Sequence, residues 1–408
     1  MSTAGEQSAQ CCIVGGGPAG MMAALLFARA GVRTILLEKH ADFLRDFRGD
    51  TIHPSTMEIM SELGLLEAFL ERPHQEVTSL AGNLGDTVVQ VADFTHLPSR
   101  CKFLAFMPQW DFLNFLAEEA KRYPTFELRT QARAGDLLWE GDRVVGVRAQ
   151  TPTGSLEIRA TLTVAADGRS SLIRERAGLR PIDLGAPMDV LWLRLSKFRD
   201  DPHETFGYIR NGRIMALIDR GAYWQCAYVI SKGTFQELRT RGLDAFRQDV
   251  SSLVPFLSDR VEEIDAWDDV KLLTVQVNRL TQWYLPGLLC IGDAAHAMSP
   301  IGGVGINLAI QDAVAAANLL AGKLARGTTS AADLRAVQRR RERAARLTQT
   351  LQLFIQRNVI GRVLGGDHAP PVLAGLRGLV RRLPILTRIP ARLIGLGFRP
   401  EHVEATRS

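Results

Sequence analysis

The chain has only five cysteines, Cys11, Cys12, Cys101, Cys226 and Cys290, and no two of them form a CxxC pair. An odd number without paired spacing excludes a disulfide framework and a thiolate metal centre. It predicts reduced thiols, mostly buried, and no metal site. Long apolar runs are also missing, and none reaches the ~18 residues that span a bilayer. Met1 to Gln10 has neither a basic cluster nor an apolar core, so no secretory leader is expected and the protein reads as cytoplasmic. Repeats and low-complexity segments are absent. Aromatics are scarce where cations are dense. From Leu351 onward there are nine arginines, no lysine and three acids (Asp367, Glu401, Glu404), with Phe398 as the one aromatic after Phe354. A nucleic-acid surface needs basic and aromatic residues interleaved, so that partner is excluded.

What is present is glycine in ordered motifs. Gln10 to Val14 reads as a buried strand, Gly15-Gly16-Gly17-Pro18-Ala19-Gly20 as a tight turn, and Met21 to Ala30 as an apolar helix stopped at Gly31. Val32 to Leu37 is a second strand ending at Glu38 and Lys39. Glu38 follows Gly20 by 18 residues, near the ~20 of the dinucleotide-binding fingerprint. In that pattern Gly15 makes the turn, Gly17 admits a pyrophosphate, Gly20 lets helix and strand close up, and Glu38 takes ribose hydroxyls.

A second glycine-rich site lies far downstream. The strand Leu288 to Ile291 stops at Gly292-Asp293. The loop Pro300-Ile301-Gly302-Gly303-Val304-Gly305-Ile306-Asn307 then opens a helix near Val304. Glycines let a flat ligand approach the backbone. The helix start offers free N–H groups and partial positive charge, which suits a ring that becomes anionic on reduction. Asp293 is placed for a sugar or ribityl hydroxyl. A third strand, Leu162 to Ala166, ends in Asp167-Gly168. All three sites fall at strand carboxyl ends, where doubly wound sheets bind ligands.

Between these motifs the pattern changes to alternating strands. Val77 to Phe94, Val190 to Leu195, Thr205 to Ile209, Arg213 to Ile218, Tyr223 to Ile230 and Thr274 to Leu280 read as strands. Phe126 to Leu128 is also a strand, and Ala134 to Glu140 with Arg143 to Ala149 form a hairpin at Gly141-Asp142. Pro54 to Leu66, Asp111 to Tyr123, Phe235 to Val254 and Leu334 to about Gln356 read as helices. At 408 residues the chain accommodates two domains. The expected class is α/β: a Rossmann-like dinucleotide-binding domain (1–76, 103–182, 273–328) split by a β-rich domain (77–102, 183–272), with a helical C-terminal region (329–408).

With these motifs in this order, the chain resembles the group A flavin-dependent aromatic hydroxylases, the p-hydroxybenzoate hydroxylase fold, over about residues 10 to 325. The resemblance rests on Gly15–Gly20, on Asp167-Gly168 with Ser171 and Arg174, and on Gly292-Asp293. It implies FAD held by Gly15, Gly17, Pro18, Ala19, Gly20, Glu38, Lys39, Arg48, Gln109, Asp167, Gly168, Gly292, Asp293, Pro300, Gly302, Gly303, Val304, Gly305, Ile306 and Asn307. It also implies transient docking of NAD(P)H, and dioxygen with an aromatic or polycyclic substrate as partners. The implied reaction is a monooxygenation through a C4a-hydroperoxyflavin, the cofactor carrying the chemistry and the protein orienting it. The alternative on the same fold is a dehydrogenase or reductase of a quinone or isoprenoid-like substrate. No WxW occurs, which argues against the related halogenases. His53, Arg194 and Tyr228 are the catalytic candidates, with Trp192, Tyr208, Met215 and Trp224 as further pocket candidates. His296 reads as a packing residue. The Arg-rich tail either packs on the FAD-binding domain or touches an anionic membrane surface.

Overall fold

A computed structural model describes residues 5–44, 51–84, 87–202, 206–365 and 384–404. In chain order its strands begin with β1 (Gly5–Val14), β2 (Thr34–Leu37), β3 (Thr51–Ile52), β4 (Gln75–Val77), β5 (Ser79–Leu84), β6 (Thr87–Asp93), β7 (Leu104–Phe106), β8 (Phe126–Arg129), β9 (Arg133–Glu140), β10 (Arg143–Thr151) and β11 (Gly154–Ala165). They continue with β12 (Pro181–Asp183), β13 (Met188–Ser196), β14 (Phe206–Arg210), β15 (Arg213–Asp219), β16 (Tyr223–Ser231), β17 (Lys271–Leu273), β18 (Asn278–Leu280), β19 (Tyr284–Leu285), β20 (Leu288–Cys290) and β21 (His296–Ala297).

The first large sheet runs β19-β20-β11-β1-β2-β8, with the hairpin β9–β10 continuing from β11. Its inner strands β20, β11, β1, β2 and β8 are mutually parallel. Parallel strands are buried on both faces, so Cys11 to Val14 and Ile35 to Leu37 read as unbroken apolar runs. The helices Pro18–Arg29 and Gly305–Ala325 pack against each other. By length and composition the segment Ile301–Ala325 could cross a membrane, yet 83% of its apolar window is buried inside the protein, which makes it a core helix. The apolar-run count missed this segment because Asp312 and Lys323 interrupt it.

The second large sheet runs β17-β13-β16-β15-β14-β5-β6. Its two faces have different covers. Leu191, Leu193, Leu195, Met215, Leu217, Trp224, Cys226, Tyr228 and Ile230 face a back layer that includes Phe246 and Val250 of the helix Leu243–Leu253. Met188, Val190, Trp192, Ile214, Ala216, Ala227 and Val229 face the other way, toward Ile301 of the glycine-rich loop and Leu353, Ile360 and Val363 of the C-terminal region.

Several elements differ from expectation for identifiable reasons. The single helix over Phe235 to Val254 is two, broken at Gly242 with φ +94°. The helix from Pro54 ends at Glu62, ahead of Gly64 at φ +74°. The strand over Thr274 to Leu280 is cut short because the Val275 N–H donates to Asp189 Oδ1 at 2.9 Å instead of to a neighbouring strand. The Arg-rich helix Ala331–Ile355 starts at a capping box of Ser330 and Asp333, then passes through a π turn, Gln356–Ile360.

Candidate active site

The three glycine motifs meet. An added Cβ on Gly15 would lie 2.5 Å from Ala166 O, so the first turn sits directly beside Asp167. One on Gly292 would lie 3.0 Å from Ala19 Cβ, so the third motif abuts the start of the first helix. Gly20 is required by packing, because its Cβ would be 1.9 Å from Gly15 O. Gly17 differs: nothing among the described residues lies within 4 Å of its Cβ position. It is the N-cap of the helix Pro18–Arg29 and makes no side-chain cap hydrogen bond, which leaves the helix's first-turn N–H groups for another acceptor. This is the cradle an anionic pyrophosphate needs, and the residues fit FAD.

Glu38, at the end of β2, directs its carboxylate back to the same turn. Its Oε2 accepts the Gly16 N–H at 3.0 Å and its Oε1 accepts the His40 N–H at 2.9 Å. Lys39 beside it is exposed, and Gln109 opens the helix Gln109–Lys121 half-buried. Arg48 lies outside the described residues.

Asp167 is half-buried and held by donors on both carboxylate oxygens. Ser171 Oγ donates to its Oδ1 at 2.5 Å and the Ile173 N–H to its Oδ2 at 3.2 Å. Burial pushes its carboxyl up, partly offset by these donors. Arg174, buried, donates to Ala294 O at 3.0 Å and to Arg169 O at 2.9 Å, tying the Asp167 loop to the loop after Gly292.

The glycine-rich loop turns through Gly302 at φ +76° and Gly303 at φ +63°, a conformation other residues rarely adopt. Pro300, Gly305, Ile306 and Asp293 are half-buried around it, and Val304 is buried. Asn307 is fully buried; its Oδ1 accepts Ser55 Oγ at 2.6 Å and Thr56 Oγ1 at 3.0 Å. Its Nδ2 has no partner among the described residues. Ser55 and Thr56 were not singled out in the sequence; their one signal is their place after His53-Pro54 at a helix start.

His53 has both ring nitrogens engaged by backbone. Nδ1 lies 2.7 Å from Ile394 O and Nε2 lies 3.0 Å from Gly303 O. Burial lowers its pKa, opposed by those two carbonyls. Its ring joins the glycine-rich loop to the C-terminal helix Arg388–Gly395. His296 packs as expected: Nε2 is 2.6 Å from Asp312 Oδ2, and its ring centroid is 4.8 Å from that of Trp283.

The sheet's two faces sort the pocket candidates. Trp192 and Arg194 are on the face turned toward the glycine-rich loop, with Arg194 stacked on Tyr223 at 3.9 Å. Tyr228 is not. It lies in the back layer with its ring 5.3 Å from Phe246, and burial pushes its phenol up to about 12. Met215 and Trp224 are in the same layer, and Tyr208 packs against it. Trp224 Nε1 donates to Asp201 Oδ2 at 2.9 Å. Period-2 alternation separates two faces and does not say which one meets the other domain. All five cysteines are free and buried, and burial pushes Cys12 up to about 12. No group of metal-binding side chains occurs among the described residues.

A dinucleotide cradle, a glycine-rich loop at the same sheet edge and a facing β-sheet define a flavin-binding oxidoreductase. Residues 8–351 match the FAD binding domain family. The chain is 35% identical over 346 residues to 6-methylpretetramide 4-monooxygenase of Streptomyces rimosus, covering 82% of each protein. It is 23% identical over 343 residues to para-nitrophenol 4-monooxygenase of a Pseudomonas species, covering 81% of this chain and 82% of that one. Among solved structures it is similar to an anhydrotetracycline hydroxylase from Streptomyces rimosus, with TM-score 0.74 and 25% identity over 98% of this chain and 78% of that one. A probable FAD-dependent monooxygenase from Pseudomonas aeruginosa matches in fold, with TM-score 0.75 and 19% identity over 88% and 99%. The chain belongs to this FAD-binding family, the group A flavin-dependent hydroxylases, and is an FAD-dependent monooxygenase.

Proposed function

We propose that the enzyme inserts one atom of dioxygen into a polycyclic aromatic substrate, with NAD(P)H as electron donor. The substrate lies in the cleft between the loop Pro300–Asn307 and the facing sheet. The observation that carries this reading is the convergence of Gly15–Gly20, Asp167-Gly168 and Gly292–Asn307 at one sheet edge, beside a sheet face bearing Trp192 and Arg194. The relatives named for 6-methylpretetramide and anhydrotetracycline point to fused-ring substrates.

Held by Gly15–Gly20, Glu38, Asp293 and the loop Pro300–Asn307, FAD would supply hydride acceptance and dioxygen activation. The chain's own groups do the rest. The N–H groups at the helix start after Gly17 neutralise pyrophosphate charge. Glu38 fixes the turn through the Gly16 N–H. Gly302 and Gly303 allow the loop's left-handed turn and its close packing on Thr51 and His53, which sets the backbone that would face the ring. Asn307 is locked by Ser55 and Thr56, and the apolar walls around Ile301 exclude water.

The test is turnover under labelled dioxygen with NAD(P)H and an aromatic probe. One labelled oxygen atom in the product is expected. Substrate oxidation or reduction with no labelled atom would instead establish the dehydrogenase or reductase alternative.

The same reading includes a cytoplasmic protein that touches membranes reversibly. Ile385, Arg388, Ile389 and Arg392 are exposed at spacings of three and four residues, while Ala391 and Gly395 pack inward. Flotation with anionic but not neutral vesicles, lost in Ile385→Ser/Ile389→Ser, is the expected result.

A further inference from the structure

Strand register across the second large sheet places four small residues in one row. Gly82 of β5 is opposite Gly207 of β14, Gly207 is opposite Ala216 of β15, and Ala216 is opposite Ala227 of β16. Residues directly opposite each other share a face. This is the face turned toward the glycine-rich loop, because Ala216 and Ala227 belong to it. Large side chains end the row: Val89 opposite Gly82, and Trp192 opposite Ala227.

The rows on either side are not small. On one side Ile209, Ile214, Val229 and Val190 are aligned, an aliphatic bank. On the other, Ile218, Gln225 and Arg194 are aligned, a bank with two donors. The small row is therefore the floor of a trough. Four strands at the usual spacing give it a length of about 14 Å, and the banks are about 13 Å apart at the backbone. Along the floor, Gly82, Gly207 and Ala216 are half-buried, and Ala227, at 8% exposure, closes the far end beside Trp192. No described atom lies within 4 Å of a Cβ built on Gly207.

A second, independent observation comes from Gln225. It is 4% exposed and stands on the trough's own face. Arg220 Nε donates to its Oε1 at 2.9 Å, which fixes the orientation of the amide. Its Nε2 is then left without a partner among the described residues. A buried amide donor costs free energy until something accepts from it. Arg194, flat on the Tyr223 ring, extends the same bank.

We propose that Gly82, Gly207, Ala216 and Ala227 select the substrate. They form a trough for a linear fused aromatic with one apolar edge and one oxygen-bearing edge, the latter accepting from Gln225. This rests on reading the cleft as the substrate site.

The holoenzyme, Gly207→Val and Gln225→Leu are titrated with 1,2-dihydroxyanthraquinone (three rings) and with resorcinol (one ring), following the flavin absorbance. Because a Cβ at position 207 has no described atom within 4 Å, Gly207→Val is expected to keep its melting temperature and flavin content. It binds the three-ring probe about tenfold more weakly and resorcinol within about twofold of wild type. Gln225→Leu weakens the three-ring probe by a similar factor. Unchanged three-ring affinity in both variants overturns the trough, as does equal loss of both probes in Gly207→Val. Wild type that takes resorcinol but not the three-ring probe overturns the trough alone. Wild type that takes neither overturns the cleft as substrate site, and the trough with it.

Discussion

His296 and Asp312 meet at 2.6 Å, where both side chains are all but fully buried, and Arg341 donates to the other oxygen of the same carboxylate at 3.0 Å. Asp312 Oδ2 also accepts the Gly292 N–H at 3.0 Å. The buried network thus holds the backbone of the third motif. Burial alone would raise the Asp312 carboxyl, but His296 and Arg341 more than reverse this and hold it below the ordinary value. A depressed carboxyl stabilises the fold above the unfolded pKa of about 3.9. That contribution is lost as the pH falls through the folded value. Asp312→Asn is expected to cost about 1–3 kcal/mol, because the Gly292 N–H and His296 lose a charged acceptor while Arg341 keeps Glu401 at 3.4 Å. Urea unfolding at pH 7 measures this, and the variant's acid limb should be flatter than wild type's below pH about 4.

Gly17 and Gly20 should respond oppositely to alanine. Gly20→Ala drives a Cβ into Gly15 O, so loss of fold or of soluble protein is expected. Gly17→Ala meets no described atom, so the apoprotein should keep its melting temperature while FAD binding weakens by tenfold or more. Flavin fluorescence titration separates the two.

Tyr228→Phe tests the assignment of sheet faces. The phenol is in the back layer, and its raised pKa keeps it protonated through neutral and mildly alkaline pH. Turnover and its pH profile should stay within about twofold of wild type; a tenfold loss would return Tyr228 to the active site.

His53→Ala removes the link between Gly303 and the helix Arg388–Gly395. Two buried carbonyls lose their neighbour, at about 1–3 kcal/mol for each one left unsatisfied. Faster amide exchange over 388–404, with slower exchange unchanged in β1, is the expected signature. Uniform loss of protection would mean global destabilisation instead.

The parts of the fold legible in sequence are those encoded locally. Gly15–Gly20, Glu38 and the loop after Gly292 are contiguous motifs, and the parallel strands are short apolar runs beside them. What was not legible depends on partners distant in sequence. Asp312 is one polar residue in an apolar helix, and nothing local shows that Gly292, His296 and Arg341 converge on it. The orientation of β16 is similar. Trp224 and Tyr228 alternate correctly with Gln225 and Ala227, but the pattern is symmetric with respect to inside and outside. Only packing against Phe246 and Asp201 resolves it. Gly242 was legible as a glycine, though not as a helix break, because the apolar spacing continues past it.

The strand order of the first sheet also sets a timetable. β1 ends at Val14, yet its neighbour β11 ends at Ala165, and β20, which completes the ligand edge, ends at Cys290. β1 is therefore made long before β20, and its sheet cannot close until Cys290 is synthesised. Such non-local pairing is slow and leaves apolar strand edges uncovered meanwhile. The nascent protein therefore needs those edges shielded until Cys290 is made, and FAD meets a complete cradle only after the loop Pro300–Asn307 follows.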